Sequence, residues 1–172
     1  NYAFDGLGRV SAVTTTKAGG QPQAVVSGVA YHPFGGVTGY TLGNGQLYNR
    51  TVDQDGRIAS YTLGAQSFGI GYDAASRIEF ISEVGVPANS NSYGYDVLDR
   101  LTSAALPAST YGYSYDAVGN RLTRSTGSST DSYAYGATSN RLASITPTSG
   151  PVRSFTFDPN GSTLADGNNT YA

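Results

Sequence analysis

The stretch that decides the fold is residues 113–122, with the sequence YSYDAVGNRL. Two tyrosines stand two residues apart, Asp116 follows directly, and Gly119 comes three residues later. Residues i and i+2 of a β-strand share one face of the sheet. An aspartate side chain can accept hydrogen bonds from nearby backbone N–H groups, and glycine suits a left-handed turn position. The stretch therefore predicts a strand, a capped turn and the start of a second strand.

The same pattern recurs along the whole chain. The position after the second aromatic residue returns at intervals of about 20 residues, which is typical of a repeat array. These positions are Asp5, His32, Asp53, Asp73, Asp96, Asp116, Gly136 and Asp158. About 20 residues suffice for two ordinary strands and two turns. We therefore predict an all-β chain of tandem β-hairpins, in which residues 1–172 form a single antiparallel array of about seven to eight units.

Each unit repeats a small set of turn residues. An aspartate closes the turn, a glycine stands at the left-handed position, and an arginine starts the next strand. The predicted turn residues are Asp5, Asp53, Asp73, Asp96, Asp116 and Asp158, then Gly8, Gly56, Gly119 and Gly161, then Arg9, Arg57, Arg77, Arg100, Arg121 and Arg141. We expect each arginine to pair with an aspartate of its own or a neighbouring turn. Because Arg121 and Arg141 stand one place later than the others, we expect one extra residue in their turns.

The aromatic residues are expected to stabilise the array, because a single hairpin is marginally stable alone. Rings two residues apart lie on one face, so rings of successive units can form a ladder. The predicted ladder residues are Tyr93, Tyr95, Tyr113, Tyr115, Tyr133, Tyr135, Phe155 and Phe157. The alternative fold is an ordinary β-sandwich without a ladder that runs through all repeats.

Composition narrows the possible functions. The 172 residues are 38% hydrophobic and 13% charged, with 14 tyrosines and 23 glycines, which suits strands joined by tight turns. The length predicts one domain with a sizeable core. The net charge of −2 and the lack of a basic block argue against nucleic-acid binding. No apolar run is long enough for a membrane span. The chain has no cysteine, which excludes disulfides and cysteine-ligated metals.

No residue pattern predicts catalysis or a cofactor. The one histidine, His32, has no recognisable triad partners, and we expect it in a turn or on the surface. Asp53, Gln54, Asp55 and Gly56 resemble the start of a calcium loop, but the twelfth position is Gly64 where that loop needs glutamate. We therefore expect turn capping here, with no catalytic residue, cofactor or metal site.

The pattern Y-x-Y-D-x-x-G-N-R-L closely resembles the YD repeat of Rhs-type proteins. Residues 31–38, YHPFGGVT, resemble a further stretch that is frequent in that family. The resemblance covers essentially the whole chain, and the copies keep one phase throughout. The family includes bacterial polymorphic toxins, the C components of insecticidal toxin complexes and the teneurins of animal cell surfaces.

The resemblance implies a curved antiparallel sheet, which is a segment of a spiralling β-shell. In bacterial members of the family that shell encloses a toxic C-terminal domain. The implied partners are further YD repeats of a parent chain and the enclosed toxin, and the implied location is secreted or on the bacterial surface. Residues 158–161, DPNG, resemble part of the family's D-P-x-G-L self-cleavage element, but Ser162 replaces the leucine and the stretch falls at a turn position.

Two functions remain open from the sequence. The first is a non-catalytic structural module, a fragment of a longer protein that begins and ends at the same phase of the repeat. The alternative is an adhesion or carbohydrate-binding module, which would bind glycans on a tyrosine-lined sheet face. Because a sheet cut from a spiral has open edges, we also expect self-association.

Overall fold

The computed structural model describes residues 1–171 and consists almost entirely of antiparallel β-strands. Two compact units divide the chain, Asn1–Ser90 and Asn91–Ala172. In each unit, the strands of the main sheet lie side by side in chain order, so that strands consecutive in the sequence pair with each other. This order makes each unit a meander of β-hairpins. The predicted all-β fold of tandem hairpins is confirmed.

The first unit contains eight strands and one short helical turn. Its elements are β1 (Tyr2–Phe4), β2 (Val10–Thr15), β3 (Gln23–Tyr31), β4 (Val37–Leu42), β5 (Leu47–Val52), β6 (Ile58–Leu63), β7 (Gln66–Tyr72), β8 (Ile78–Glu83) and a 3-10 turn (Pro87–Asn89). A turn at Asn44 and Gly45 joins β4 to β5, and Asn44 Oδ1 accepts a hydrogen bond from the backbone N–H of Gln46.

The second unit has a main sheet of seven strands and a separate pair. Its strands are β9 (Asn91–Tyr95), β10 (Leu101–Leu106), β11 (Ser109–Tyr115), β12 (Arg121–Thr126), β13 (Ser129–Tyr135), β14 (Leu142–Thr146), β15 (Arg153–Ser154), β16 (Thr156–Phe157) and β17 (Thr163–Ala165). The last repeat therefore differs from the others. Its first strand is interrupted at Phe155, so β15 pairs with β14 while β16 pairs with β17.

A β-bulge lies beside the turn of most repeats. The register shifts between Gly71 and Tyr72, between Ser114 and Tyr115, and at the equivalent places of other units. Each shift comes just before the aspartate position. A turn that ends in a left-handed residue produces such a bulge, because one strand gains a residue that its partner lacks.

The two faces of each sheet have different chemistry. Tyr113 lies opposite Arg124 on one face, whereas Ser114 and Thr123 lie opposite each other on the other face and their hydroxyl oxygens are 2.6 Å apart. We call these the aromatic face and the hydroxyl face. In the first unit the aromatic face carries Tyr40, Tyr48, Tyr61, Phe68 and Tyr72, and the hydroxyl face carries Thr51, Ser60, Thr62, Ser67 and Ser82.

The expectation of a sizeable core is wrong. Within residues 1–171, only Ala104 and Gly39 are buried. Ala104 lies opposite Tyr93 on one side and Tyr111 on the other, so two rings flank its small side chain. Within each unit the strands contact mainly their neighbours in the chain, so each main sheet is one layer thick.

Candidate functional site

The repeated turn is the feature that recurs through both units, and Asp53 shows how it is built. Its Oδ1 accepts hydrogen bonds from the backbone N–H groups of Asp55 and Arg57, at 3.0 and 2.9 Å. Its Oδ2 accepts a hydrogen bond from Arg57 Nε at 2.7 Å. The carboxylate thus closes the turn and orients the arginine that follows. The same three bonds form at Asp5 and Asp73.

The third residue after the aspartate adopts a left-handed backbone. The φ angles of Gly8, Gly56, Gly119 and Gly161 are 77°, 78°, 96° and 93°. The fourth and fifth repeats place non-glycine residues there, because Ser76 has a φ of 64° and Asp99 a φ of 62°. Residues other than glycine are sterically disfavoured in this left-handed region, because their Cβ comes too close to the backbone.

Hydrogen bonding keeps the turn carboxylates ionised. Backbone hydrogen bonding from Arg9 holds the pKa of Asp5 below its usual 3.8, against the opposing effect of burial. At Asp53 burial is the largest single effect and would raise the pKa, but hydrogen bonds from the side chain and backbone of Arg57 together outweigh it, so the pKa is lowered. Bonds that favour the charged form always act in this direction.

Four arginines form ion pairs with the aspartate of their own turn. The pairs are Arg9–Asp5, Arg57–Asp53, Arg77–Asp73 and Arg100–Asp96, with nitrogen–oxygen distances of 2.7–2.8 Å. These side chains are partly exposed, so each pair contributes little stability by charge alone. Their effect is to fix the guanidinium in place, which determines what it contacts in the next repeat.

Three of these arginines, Arg9, Arg57 and Arg100, lie over a tyrosine ring of the next repeat. Arg57 lies over the ring of Tyr72 at 4.5 Å, and Arg100 lies over the ring of Tyr115 at 4.8 Å. The Tyr115 hydroxyl then donates a 2.8 Å hydrogen bond back to the carbonyl of Leu101 in the preceding hairpin. Neighbouring repeats are therefore joined by a cation–π contact and a hydrogen bond as well as by strand pairing.

The predicted aromatic ladder differs in its detail. The faces of Tyr115 and Phe157 are each occupied by an arginine. Arg100 lies over the ring of Tyr115, and Arg141 lies over the ring of Phe157 at 5.7 Å. Tyr135 instead donates its hydroxyl hydrogen to the carbonyl of Arg121. The sequence pattern predicted the aromatic rings but not the arginines that lie over them.

The sixth turn contains no extra residue, contrary to expectation. The N–H of Asp116 donates to the carbonyl of Asn120, four residues on, just as Asp5 donates to Arg9. Asn120 takes the arginine's place, because its Nδ2 donates to Asp116 Oδ2 at 2.8 Å. The extra residue is real only in the seventh turn, where Gly136 donates to the carbonyl of Arg141.

Arg121 and Arg141 do not pair with a carboxylate in the described part of the chain, so the expected Asp–Arg pairing ends at the fifth repeat. Arg121 lies over the Tyr133 ring at 4.3 Å, and its buried Nε has no hydrogen-bond partner. Arg141 donates to the backbone carbonyl of Asp158 at 3.4 Å. Arg121 is the first residue of β12 and lies one place too late to reach Asp116, whereas the turn of Arg141 has Gly136 in the place of the aspartate.

The stretch at residues 158–161 is a turn. The N–H of Asp158 donates to the carbonyl of Ser162, and Asp158 Oδ1 accepts from the Ser162 N–H at 2.8 Å. Asp158 therefore has the capping role of the other turn aspartates, and Gly161 has the left-handed one.

Turn residues that sequence analysis missed are Asn120, Ser76 and Asp99. All three stand three or four places after the aspartate, at the positions where only a glycine or an arginine was expected. Ser76 also accepts a 2.8 Å hydrogen bond from Arg57 Nη1 of the preceding turn.

Residues 1–171 contain no cluster of metal-binding side chains. No group of three histidine or acidic side chains is placed to hold a metal ion. His32 caps its own turn, because its Nδ1 accepts a hydrogen bond from the Phe34 N–H at 3.3 Å. In the same described range, no helix is long and apolar enough to cross a membrane.

Comparison with known proteins identifies the fold. No protein-family model and no curated protein matches the chain in sequence. Among solved structures, the chain is similar to the Tc holotoxin pore of Photorhabdus luminescens with a mutated TccC3, at a TM-score of 0.72 and 17% identity. It is also similar to TcdB2–TccC3 without its hypervariable C-terminal region, at 0.72 and 17%, and to TcdB2–TccC3–TEV, at 0.73 and 18%.

The YD-repeat fold is confirmed. Each likeness covers 95% of this chain but only 11% of the solved chain. The chain therefore spans about one ninth of the length of the Tc toxin chains that it resembles. The hairpin array corresponds to one segment of a much longer repeat structure.

Proposed function

We propose that the chain is a non-catalytic wall segment of an Rhs-type β-shell, which encloses a C-terminal toxin domain in a secreted or surface-exposed bacterial protein. The observation that carries this proposal is a sheet one layer thick without a core. Such a sheet leaves both faces available, one to a lumen and one to solvent. The likeness to a small segment of Tc toxin chains supports the same function.

The tips of the turns support further repeats as partners. The second residue after the aspartate position is a large apolar side chain in several repeats. Leu7 is 78% exposed, Leu98 62% and Val118 71%. Exposed apolar side chains that recur at the turn tips within each unit indicate a surface that other parts of a protein cover. In this proposal the adjoining repeats of the parent chain cover it.

The alternative function, glycan binding on a tyrosine-lined face, has less support from the rings themselves. A sugar needs an open ring face, but Arg57 lies over Tyr72, and Arg100 lies over Tyr115. The hydroxyls of both tyrosines are also bonded to backbone carbonyls. These rings serve to join neighbouring hairpins.

Protease protection in the parent protein tests the shell. The domain downstream of the repeats should be cleaved much more slowly in the intact parent than when it is expressed alone. Mild denaturant that loosens the repeats should abolish this protection. Equal cleavage rates for the enclosed and isolated domains would contradict encapsulation, and turnover of a substrate by the repeat segment would contradict the non-catalytic assignment.

A further inference from the structure

The second turn differs from all the others in its side chains. His32 stands in the aspartate's place, and Gly36 stands in the arginine's place. The backbone is unchanged, because the His32 N–H donates to the Gly36 carbonyl at 3.1 Å, as in the other four-residue closures. This turn thus keeps its shape but lacks both the carboxylate and the cation of its own.

Arg50 of β5 supplies a cation from a neighbouring strand. A Cβ atom added at Gly36 would lie 2.7 Å from Arg50 Nη2, so the guanidinium rests against this glycine. Like Arg121, Arg50 has a buried Nε without a hydrogen-bond partner, and its side chain forms no hydrogen bond or ion pair within residues 1–171. A buried donor without a partner is costly, and a guanidinium offers five N–H groups.

A groove opens around Arg50, and its volume of about 390 Å³ is that of a small-molecule site. Thr38 and Gln54 contribute polar groups to its wall, and Phe34 lies at its edge with 97% of its surface exposed. Because His32 Nδ1 accepts a hydrogen bond from the backbone, the neutral ring carries its proton on Nε2, which is a donor.

The charges around the groove favour a ligand with a single negative charge. The planar guanidinium of Arg50 matches a carboxylate through two parallel hydrogen bonds. Asp55 also lines the groove, and its carboxylate is paired with Arg57 at 3.0 Å. The negative charge of Asp55 repels a dianion such as phosphate, but its carboxylate oxygens can accept hydrogen bonds from ligand hydroxyls.

We propose that this groove binds a uronate residue of an acidic glycan. The carboxylate of the sugar lies on Arg50, its hydroxyls bond to Gln54, Thr38 and Asp55, and an apolar face of its ring packs on Phe34. This site is separate from the tyrosine rows that join the hairpins. Glycan binding in this groove does not require the shell function, because any repeat on the outside of an assembly would expose the groove to solvent.

Titration with sodium glucuronate tests the site. At constant ionic strength, the amide resonances of residues 32–36 and 54–56 should shift and saturate. Arg50→Gln should weaken binding by at least about tenfold, as expected for loss of a hydrogen-bonded charge pair. Arg124→Gln is the matched control, because Arg124 is also a strand arginine opposite a tyrosine, and it should leave binding unchanged.

A second pair of variants keeps every charge. Gly36→Ala should push the guanidinium aside and weaken glucuronate binding, whereas Gly6→Ala, in open space, should have no effect. Circular dichroism verifies that each variant is folded.

Glucose, acetate and phosphate are the comparison ligands, and each should bind at least about tenfold more weakly than glucuronate. Acetate binding as tight as that of glucuronate would overturn the sugar assignment in favour of a bare carboxylate. Tighter phosphate binding would overturn the preference for a monoanion. Unchanged affinity in the Arg50→Gln variant would overturn the site itself.

Discussion

At the residue scale, the aspartate of each turn is the group on which the local structure depends. Asp53 accepts two backbone N–H groups and one arginine N–H, whereas Asp55 in the same turn is 71% exposed and contacts only the Arg57 guanidinium. The two carboxylates are two residues apart and both contact the Arg57 guanidinium, but only that of Asp53 accepts backbone N–H groups. They therefore separate the capping effect of a turn carboxylate from its effect as a surface charge.

We predict that Asp53→Ala lowers the melting temperature by several degrees, because two backbone N–H groups lose their acceptor. Asp55→Ala should change it by no more than about one degree, since exposed ion pairs contribute little. Thermal unfolding followed by circular dichroism measures both. Equal shifts for the two variants would show that the carboxylate acts only by charge.

Acid should destabilise the fold over a defined range of pH. The pKa values of Asp5, Asp53, Asp73 and Asp116 lie below 3.8, and backbone hydrogen bonds from Asn168 and Asn169 lower the pKa of Asp166 to about 2. A carboxylate with a lowered pKa contributes stability that is complete above its unfolded pKa. That stability is lost as the pH falls through the folded pKa.

The urea midpoint should therefore fall between about pH 4 and about pH 2, because the native state must take up protons there. Denaturation curves at a series of pH values measure it. A midpoint that stays constant down to about pH 2 would contradict the hydrogen-bonded state of these carboxylates.

At the scale of the element, one hairpin is held to the next by contacts that strand pairing does not include. The Tyr115 hydroxyl donates to the Leu101 carbonyl, 14 residues earlier, and the same separation recurs for Tyr72 with Ile58 and for Tyr135 with Arg121. The same tyrosine–carbonyl hydrogen bond thus recurs in three of the repeats.

We predict that Tyr115→Phe lowers the free energy of unfolding by about 1 kcal/mol, the usual contribution of one hydrogen bond. Tyr113→Phe is the matched control in the same strand, because the Tyr113 hydroxyl has no hydrogen-bond partner among residues 1–171. It should change stability by less than about 0.5 kcal/mol. A smaller effect at Tyr115 than at Tyr113 would refute the role of this bond in joining hairpins.

The turn itself depends on a left-handed backbone. Gly119 has a φ of 96° and open space around its missing Cβ, so a side chain there would be strained without any clash with a neighbouring residue. Gly119→Val should destabilise by about 1–2 kcal/mol. Gly6→Val has the same open surroundings without the left-handed angle and should be nearly neutral. Equal melting temperatures for the two variants would exclude backbone strain as the cause.

At the scale of the whole molecule, contacts between repeated hairpins stabilise the fold in place of a hydrophobic core. Only Ala104 and Gly39 are buried in the described chain, so stability comes from contacts between adjacent hairpins. The outer strand β1 also leaves backbone groups unpaired on one side, and its Tyr2 and Phe4 are 68% and 61% exposed. Such an edge is a template for pairing with another chain.

We predict that the chain self-associates through this edge as concentration rises. Ala3→Lys places a charge in the middle of β1 and should shift the sedimentation coefficient towards that of a monomer. Gly6→Lys adds the same charge in the turn beyond the strand and should not. Monomeric behaviour of the unchanged chain at high concentration would contradict the prediction.

Much of the repeat could be predicted from sequence because its determinants are local. An aspartate accepts N–H groups two and four residues away, and a left-handed glycine depends on its own backbone angle, so the capped turns follow from short stretches. Asn120 was missed because an arginine was expected at the end of each turn, although the turn is defined by where its backbone hydrogen bond closes. Arg50 had no periodic pattern to reveal it.

The sequence by itself determined the hairpins, their period of about 20 residues and the separation of aromatic and hydroxyl residues, because strand alternation and turn chemistry act over a few residues. Only the tertiary structure decided that arginines lie over rings of the next repeat, that Arg50 meets Gly36, and that residues 1–171 bury almost no side chains. These features depend on which repeats become neighbours and on what covers their faces. Alternation within one strand is the same whether its sheet is buried or open.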